Sequence, residues 1–285
     1  MALQLATHNG PFHADDVLAA ALVRVFLDAE ATVVRSRNPE VLAKADVVFD
    51  VGGVFDVATR RFDHHQRDYQ GDRSSAGMVL DWLESDGHVS ASIAEALRFQ
   101  LVDYVDAVDT GARASAGDVP CFSTMVGVLT EQATDDSFDV WYERAVAMAV
   151  DISSAISIGC KRSETDARAV LAAMDDAVAN ERRVLFFDEY LKWKPAYFGA
   201  AGSEHPTDYV IFPGRNDWRV VTIPVAVDSK DDKRKLPSEW AGLEGAALEK
   251  VVGVPGARFC HKNCFIAAFE NKEAALEALR KWDRL

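Results

Sequence analysis

The sequence predicts an α/β fold: an N-terminal parallel sheet with helices on both faces, followed by a smaller C-terminal α+β domain. Three observations predict it. Strand-like and helix-like stretches alternate at the start of the chain. Polar, chemistry-bearing clusters fall where the strands end. After about residue 182 the long helical pattern gives way to short β-branched runs separated by Gly, Pro and Asp/Ser loops.

The elements follow in order. "LQLAT" is a short apolar run that reads as the first strand, and "THNGPFHADD" is its polar exit loop. "DDVLAAALVRVFLDAEA" has helical composition and opens on two acids, which suit a helix N-terminus. "TVVRSR" is β-branched, "NPEVLAKA" offers an Asn cap with Pro at the first helical position, and "DVVFDVGG" is a buried strand ending in Asp and Gly. Such alternation implies parallel strands joined by right-handed crossovers, with ligands beyond the carboxyl ends of the strands. "SSAGMVLDWLES" and "SASIAEALRFQLVDYVDAVDTG" read as helices, "ARASAGDVPCF" as a loop, and residues 136–182 as mainly helical. "VLFFDEY", "YVIFP", "WRVVTIPVAV" and "CFIAAF" are the strands of the second part. A domain boundary is expected near the long helical region.

The 285 residues carry 45 acids and 31 bases, a net charge of −14, so a global pull on nucleic acid is absent. A polyanionic substrate would need a local cationic site. No apolar run is long enough to span a membrane, and "MALQLATHNG" lacks the features of a signal peptide. Cysteines at 121, 160, 260 and 264 do not form a disulfide framework, which points to a reducing, cytoplasmic setting.

The chemistry gathers in four places. His8, His13, Asp15 and Asp16 follow the first strand, and Asp50 ends the third. Asp63, His64 and His65 come next in "DHHQ", and Asp106 and Asp109 close a helix before Gly111. Imidazole and carboxylate without thiolate favour Mn²⁺, Mg²⁺ or another octahedral ion over a closed zinc site. Two such ions sharing a carboxylate could activate water and stabilise a phosphoryl displacement. Adjacent strand residues point to opposite faces, so His64 and His65 are expected to have different jobs.

"DHHQ", with "VFDVGG" upstream and "DAVDTG" downstream, resembles the DHH phosphoesterase superfamily. "THNGPFHADDVLA", "VVRSRNPEVLAKADVVFDVGGVFD", "RFDHHQ" and "SSAGMV" resemble, in order and spacing, the melanocyte-proliferating-gene family of DHH-like nucleases. "IFPGRNDWRVVTIPV", "KLPSEWAGL" and "GARFCHKNCFIAA" extend the resemblance over nearly the whole chain. It implies a 3′–5′ exonuclease on RNA, dependent on two Mn²⁺ or Mg²⁺ ions, in a prokaryotic, cytoplasmic member. Residues 1–160 would form the DHH-type metal-binding catalytic domain. Residues 161–285 would form a helical connector and a substrate-binding α+β domain. His8, His13 and Asp15 would hold the first ion with Asp50, which bridges. His64 and Asp109 would complete the second, with Asp106 the weaker alternative to Asp109. His65 would act on the scissile phosphate, and Asp63 would support an imidazole by its N–H. The superfamily often carries Asp where this chain has His13, and "FIAAF" stands where a Gly pair is expected.

Substrate contacts are expected from several residues. Ser74 and Ser75 open a helix whose N–H groups could hold a phosphate, or they simply cap it. Arg35, Arg37 and Arg61 adjoin the metal motifs and could contact phosphate, or Arg35 and Arg37 could line a solvated strand edge. Arg258, Lys262, the "SKDDKRK" loop and His261 are candidates in the second domain. Asp16 reads as a first-turn acid rather than a ligand, Cys260 and Cys264 as buried thiols, and His88 as an exposed loop residue. The tryptophans in "EYLKWKP", "NDWRV" and "SEWAG" read as core anchors, one of which could instead stack a base. Two rival functions remain open: hydrolysis of a small phospho-compound such as pyrophosphate or a cyclic dinucleotide, and metal-stabilised binding without turnover. A homodimer is expected.

Overall fold

A computed structural model describes residues 2–115 and 119–282. The chain divides into two units, Met1–Lys161 and Arg162–Leu285.

In the first unit, β1 (Gln4–Thr7), β2 (Thr32–Arg35), β3 (Val47–Phe49) and β5 (Arg61–Phe62) are parallel, and β4 (Phe55–Asp56) pairs antiparallel with β5 at the edge. The strand order is β2-β1-β3-β5-β4. Period-two alternation sorts the strand residues between two faces. Leu5, Val47 and Phe49 join the main core, while Ala6 and Val48 pack with Leu42, Ala45 and Val51 on the other face. That second face is covered by the short helix α2 (Pro39–Leu42), started by an Asn38 side chain that accepts from the Glu40 N–H.

The main core lies among α1 (Ala14–Phe26), α3 (Ser75–Ser85), α4 (Ala91–Leu97), α5 (Asp103–Asp109) and α6 (Phe122–Glu131). Helix α1 is buried all round from Ala14 to Val23, because Ala19, Ala20 and Ala21 leave room for neighbours to close on it. The helical run expected after Ser90 contains a π-helical turn, Arg98–Val102, between α4 and α5.

Two elements of this unit were not expected from the sequence. The first is the β4–β5 hairpin. Its strands have two residues each, too short for a periodic signal. The second is α6, whose "FSTMVGVLTE" is rich in poor helix formers. It forms because Phe122 and Val126, one turn apart, are buried in the core, and because Cys121 and Thr124 form a reciprocal cap. Of the loop expected at 112–122, residues 116–118 lie outside the described residues, and Phe122 already belongs to α6.

Helix α7 (Phe138–Ala179) carries the division between the units. The second unit then contains β6 (Val184–Phe186), α8 (Trp193–Gly199), β7 (Tyr209–Pro213), β8 (Trp218–Thr222), α9 (Gly245–Val252), β9 (Ala257–Cys260), β10 (Ile266–Phe269) and α10 (Lys272–Lys281). Its sheet order is β6-β7-β8-β10-β9, antiparallel except for the β6–β7 pair. Alternation again splits the strands: Tyr209 and Ile211 face one apolar cluster, Val210 and Phe212 another. Trp193 and Trp240 are buried anchors, and Trp218 is partly buried. Cys260 and Cys264 are buried in β9 and its turn. No helix among the described residues is long and apolar enough to cross a membrane.

Candidate metal centre

The centre lies past the carboxyl ends of three parallel strands. His8 follows β1, and its Nε2 lies 3.1 Å from Asp50 Oδ2 and 3.3 Å from Asp16 Oδ2. His13 caps α1, its backbone N–H donating to Asp16 Oδ1 at 3.0 Å. Asp15 is thereby fixed in the first helical turn, fully buried. Asp50 follows β3 with φ at +55°, in the left-handed region that non-glycine residues seldom adopt. Its N–H is held by Phe62 O at 3.0 Å, so the parallel β3–β5 pairing sets Asp50 beside the DHH triplet. The unexpected hairpin thus positions half of the site.

Asp63 acts as a backbone anchor. Its Oδ2 accepts from the Gly53 N–H at 2.6 Å, and its Oδ1 accepts from the His65 N–H at 3.0 Å and lies 2.8 Å from His65 Nδ1. Gly53 turns at φ +67°, which lets its N–H reach back to that carboxylate. Burial would raise the Asp63 carboxyl, but these contacts outweigh it and hold the carboxyl below the ordinary range. His64 Nε2 lies 2.9 Å from Asp109 Oδ2 at the end of α5, and its Nδ1 is 3.9 Å from Asp50 Oδ1.

The expected opposite-face arrangement of His64 and His65 is not what forms. Strand pairing ends at Phe62, so the alternation rule no longer applies, and the two rings lie 4.2 Å apart with a 32° tilt. Burial separates their environments instead: the His64 side chain is 9% exposed and that of His65 62%.

Three sets of ligand atoms converge, each within 4.8 Å of one another: His8–His13–Asp50, His13–Asp15–Asp109, and Asp50–Asp63–His64–His65. His13 and Asp50 are shared. Asp15, expected to group with His8, groups with His13 and Asp109 instead. Electrostatics reflect the crowding of acids. Burial, then the charges of Asp50, Asp109 and Asp16, push the Asp15 carboxyl well above its ordinary value. Burial opposes the charge on His8, but Asp16 and Asp50 raise its pKa to about 10. Burial likewise opposes charge on His64 and Asp109, yet their contact raises the former and lowers the latter.

These residues fit divalent cations. Asp15 Oδ1 and Oδ2, Asp50 Oδ1 and His64 Nδ1 are buried with no hydrogen-bond partner among the described residues. Buried acceptors normally find donors, and a bound cation would satisfy several carboxylates together. Imidazole nitrogen with carboxylate oxygen suits Mn²⁺ or Mg²⁺.

The family model MYG1_exonuc, described as "Uncharacterised protein family (UPF0160)", matches residues 4–281. The chain belongs to this family. A MYG1 protein of Chlamydia pneumoniae is 36% identical over 279 residues, covering 97% of this chain and 95% of its own. A Homo sapiens protein named MYG1 exonuclease is 28% identical over 321 residues, covering 97% of this chain and 85% of its own. The crystal structure of RecJ in complex with Mn²⁺ from Thermus thermophilus covers 99% of this chain and 52% of its own. At 15% identity and a TM-score of 0.27, that similarity is too low to carry an inference.

In this MYG1 family member, several residues expected at the site have framework roles instead. Asp106 stands apart from the cluster. Its Oδ1 accepts from the Ser74 N–H at 3.1 Å, the Ser74 hydroxyl at 2.6 Å and the Gly77 N–H at 3.1 Å, and its Oδ2 accepts from Arg73. A carboxylate of the chain itself therefore occupies the N-terminus of α3, the place where a phosphate was one of the two expectations. Ser74 and Ser75 are fully buried, and the Ser75 hydroxyl donates to Phe62 O at 2.9 Å, so neither hydroxyl is open to substrate. A side chain at Gly77 would overlap the Asp106 carboxylate.

Arg35 is not a solvated edge residue. Its side chain is 2% exposed, it donates to Gly10 O and Asp139, and it lies over the Tyr142 ring. It ties down the loop that carries His8 and His13. Arg61 donates to Thr59 O and Ala45 O and braces β5, whereas Arg37 is exposed. Arg258 and His261 lie in the second unit. Arg258 donates to Asn216 O at 2.7 Å; the His261 ring lies tilted against Phe265 with ring centres 4.4 Å apart. His88 is exposed, against the edge of Trp82.

Asp16 was under-read. It is the first-turn acid expected, but its second oxygen meets His8. The spacing of His13 and Asp16 as cap and third helical residue was the available signal.

Proposed function

We propose that this protein is a divalent-metal-dependent phosphodiesterase that works as a 3′–5′ exonuclease on RNA. One observation carries the reading: imidazoles and unpartnered buried carboxylate oxygens converge beyond the ends of parallel strands. The name MYG1 exonuclease borne by the human relative supports the nuclease assignment.

His8, His13 and Asp50 would hold one cation, and Asp15, Asp50, His64 and Asp109 a second. When bound, Mn²⁺ or Mg²⁺ supplies Lewis-acid stabilisation of phosphoryl oxygens and lowers the pKa of water. The chain supplies the rest. Asp63 engages His65 at Nδ1, which fixes the ring and leaves Nε2 to hold a proton against a phosphoryl or leaving oxygen. The exposure of His65 suits contact with an incoming chain, and the burial of His64 suits a ligand. Arg37, exposed on the first unit, would contact the nucleic-acid strand.

The net charge of −14 favours one rival, a small phospho-compound such as pyrophosphate or a cyclic dinucleotide. The test strips the protein with chelator, reloads it with Mn²⁺, and offers end-labelled RNA, DNA, pyrophosphate and a cyclic dinucleotide in parallel. Stepwise shortening of RNA from its 3′ end is expected. Hydrolysis of pyrophosphate or the cyclic dinucleotide with RNA intact overturns the exonuclease reading.

A further inference from the structure

The second unit holds a cavity of about 440 Å³, within the range of small-molecule sites. It lies where β8 ends and β10 begins, between the 224–235 loop, the β9–β10 turn and the start of α8. Lys194, Lys230 and Lys235 line it, and all three are exposed. None of them forms an ion pair among the described residues, although Lys272 and Lys281 of the same unit do. Asp232 is the one acid of the described wall, and its carboxylate accepts from the Thr222 hydroxyl at 2.7 Å. Three unpaired cations therefore share a wall with one carboxylate, in a chain with 45 acids and 31 bases.

The same wall carries a flat ring. Phe265 is 39% exposed, and its ring leans on that of His261. Asn263, exposed in the turn, lines the cavity beside it. The frame is fixed: the Lys233 N–H donates to Ile223 O at 2.8 Å and the Val225 N–H to Asp231 O at 2.9 Å, which folds the loop back on the end of β8. Not every cation of "SKDDKRK" serves the cavity. Lys233 turns inward, where its ammonium donates to the Tyr197 hydroxyl at 2.9 Å and to His205 O at 2.7 Å, and Arg234 lies over the Trp282 ring. The inward lysine anchors the loop, and Lys230 and Lys235 are left for the cavity. Like charges gathered on one wall repel, and a bound anion relieves that repulsion.

We propose that this cavity binds a nucleoside phosphate: the lysines hold the phosphate, the base lies on Phe265, and Asn263 meets the base edge. Lysine serves phosphate as a point charge, and stacking on an aromatic ring accepts any base because each has a π face. The nucleotide is either free or part of a strand, and the arms of the test separate the two. The site goes beyond the exonuclease reading and does not depend on it.

Binding is measured on the full chain in EDTA, which removes metal-dependent cleavage. Calorimetry with adenosine and uridine 5′-monophosphates reads free nucleotide, and fluorescence anisotropy of a labelled oligouridine reads the strand. The double variant Lys230→Gln with Lys235→Gln, and separately Phe265→Leu, should each weaken binding about tenfold, the scale of one lost stacking contact. For the strand, the lysine pair should also flatten the slope of log K against log salt by about 1.4, at ~0.7 per phosphate contact. Lys250→Gln, an exposed lysine of α9 outside the wall, controls for net charge and should bind as the wild type does. All these side chains are exposed, so melting temperatures should stay at the wild-type value. Loss seen with the monophosphates assigns the site to free nucleotide; loss confined to oligouridine assigns it to a strand. Binding that depends on the lysines but not on Phe265, and is matched by inorganic phosphate, overturns the nucleotide in favour of a plain anion site. Equal binding by the wild type and the lysine pair, equal loss in Lys250→Gln, or no binding of either probe overturns the site altogether. Without metal, none of these outcomes bears on the exonuclease reading, which stands or falls by the cleavage test above.

Discussion

Asp15→Asn should make the metal-free protein more stable while weakening its response to metal. Asp15 is fully buried, and neither of its oxygens has a hydrogen-bond partner among the described residues. The nearest acid of its trio, Asp109, has an oxygen within 4.8 Å. Two carboxylate charges at that separation repel by about 3.5 kcal/mol at an effective dielectric constant of ~20. Protonation of Asp15 relieves part of this, so the neutral amide, which can also donate to Asp109, should stabilise the chelator-treated protein by about 2–3 kcal/mol. For a unit of this size that is roughly 5–10 °C in Tm.

Metal reverses the advantage. A cation at about a hundred times its Kd stabilises the wild type by ~2.7 kcal/mol, and the amide variant should gain less than half of that. The sign with pH follows from the raised carboxyl. Below the ordinary value of 3.8 both folded and unfolded chains are protonated at Asp15 and the substitution gains nothing. As pH rises from there, only the folded wild type must retain the proton, so the variant's advantage grows up to the raised value and then levels off. Calorimetric melting in EDTA and in Mn²⁺, repeated across pH, measures all three effects. An Asp15→Asn protein that melts below the wild type in EDTA, or that gains as much from Mn²⁺, would falsify the assignment of Asp15 to the centre.

Further outcomes separate framework from site. Asp106→Ala removes the acceptor of the Ser74 and Gly77 N–H groups and the partner of Arg73. It should cost about 3–5 kcal/mol in urea titration yet keep the Mn²⁺ increment. Asp109→Ala should do the reverse; equal behaviour of the two variants would show that the division drawn between them is wrong. Asp28 is held below its ordinary value by the Leu3 N–H and then the Glu30 N–H. Its contribution is present above 3.8 and is lost as pH falls through the lowered value, so Asp28→Asn should flatten the acid limb of the stability curve. Burial pushes the Cys260 thiol up to about 12, whereas hydroxyl and backbone contacts, Thr124 foremost, outweigh burial and lower that of Cys121. Iodoacetamide at pH 8 should therefore label Cys121 first and spare Cys260, as read by mass spectrometry of the native protein.

Much of the centre was legible because its parts are local. His8 and His13 follow β1 and Asp50 follows β3, and a parallel sheet brings strand ends to one edge whatever the details of packing. The β4–β5 hairpin and α6 were not legible. Two-residue strands carry no period, and α6 exists through its cap and two buried residues rather than through propensity. Arg35, Arg61, Ser74 and Ser75 were misjudged for a shared reason. Arginine and serine look the same in a sequence whether they meet a ligand or a carbonyl of the chain, and here each meets a partner from a distant segment.

The sequence by itself determined the α/β class, the family and the inventory of imidazoles and carboxylates, since these depend on residue type and order. Tertiary structure decided which of them meet. It set Asp109 rather than Asp106 against His64, because the carboxylate one turn earlier on α5 is claimed by the start of α3. It grouped Asp15 with Asp109, and it divided the adjacent histidines by burial rather than by strand alternation, because pairing stops at Phe62. Which polar atoms remain without partners is a property of packing, and those of Asp15, Asp50 and His64 gather at the cluster.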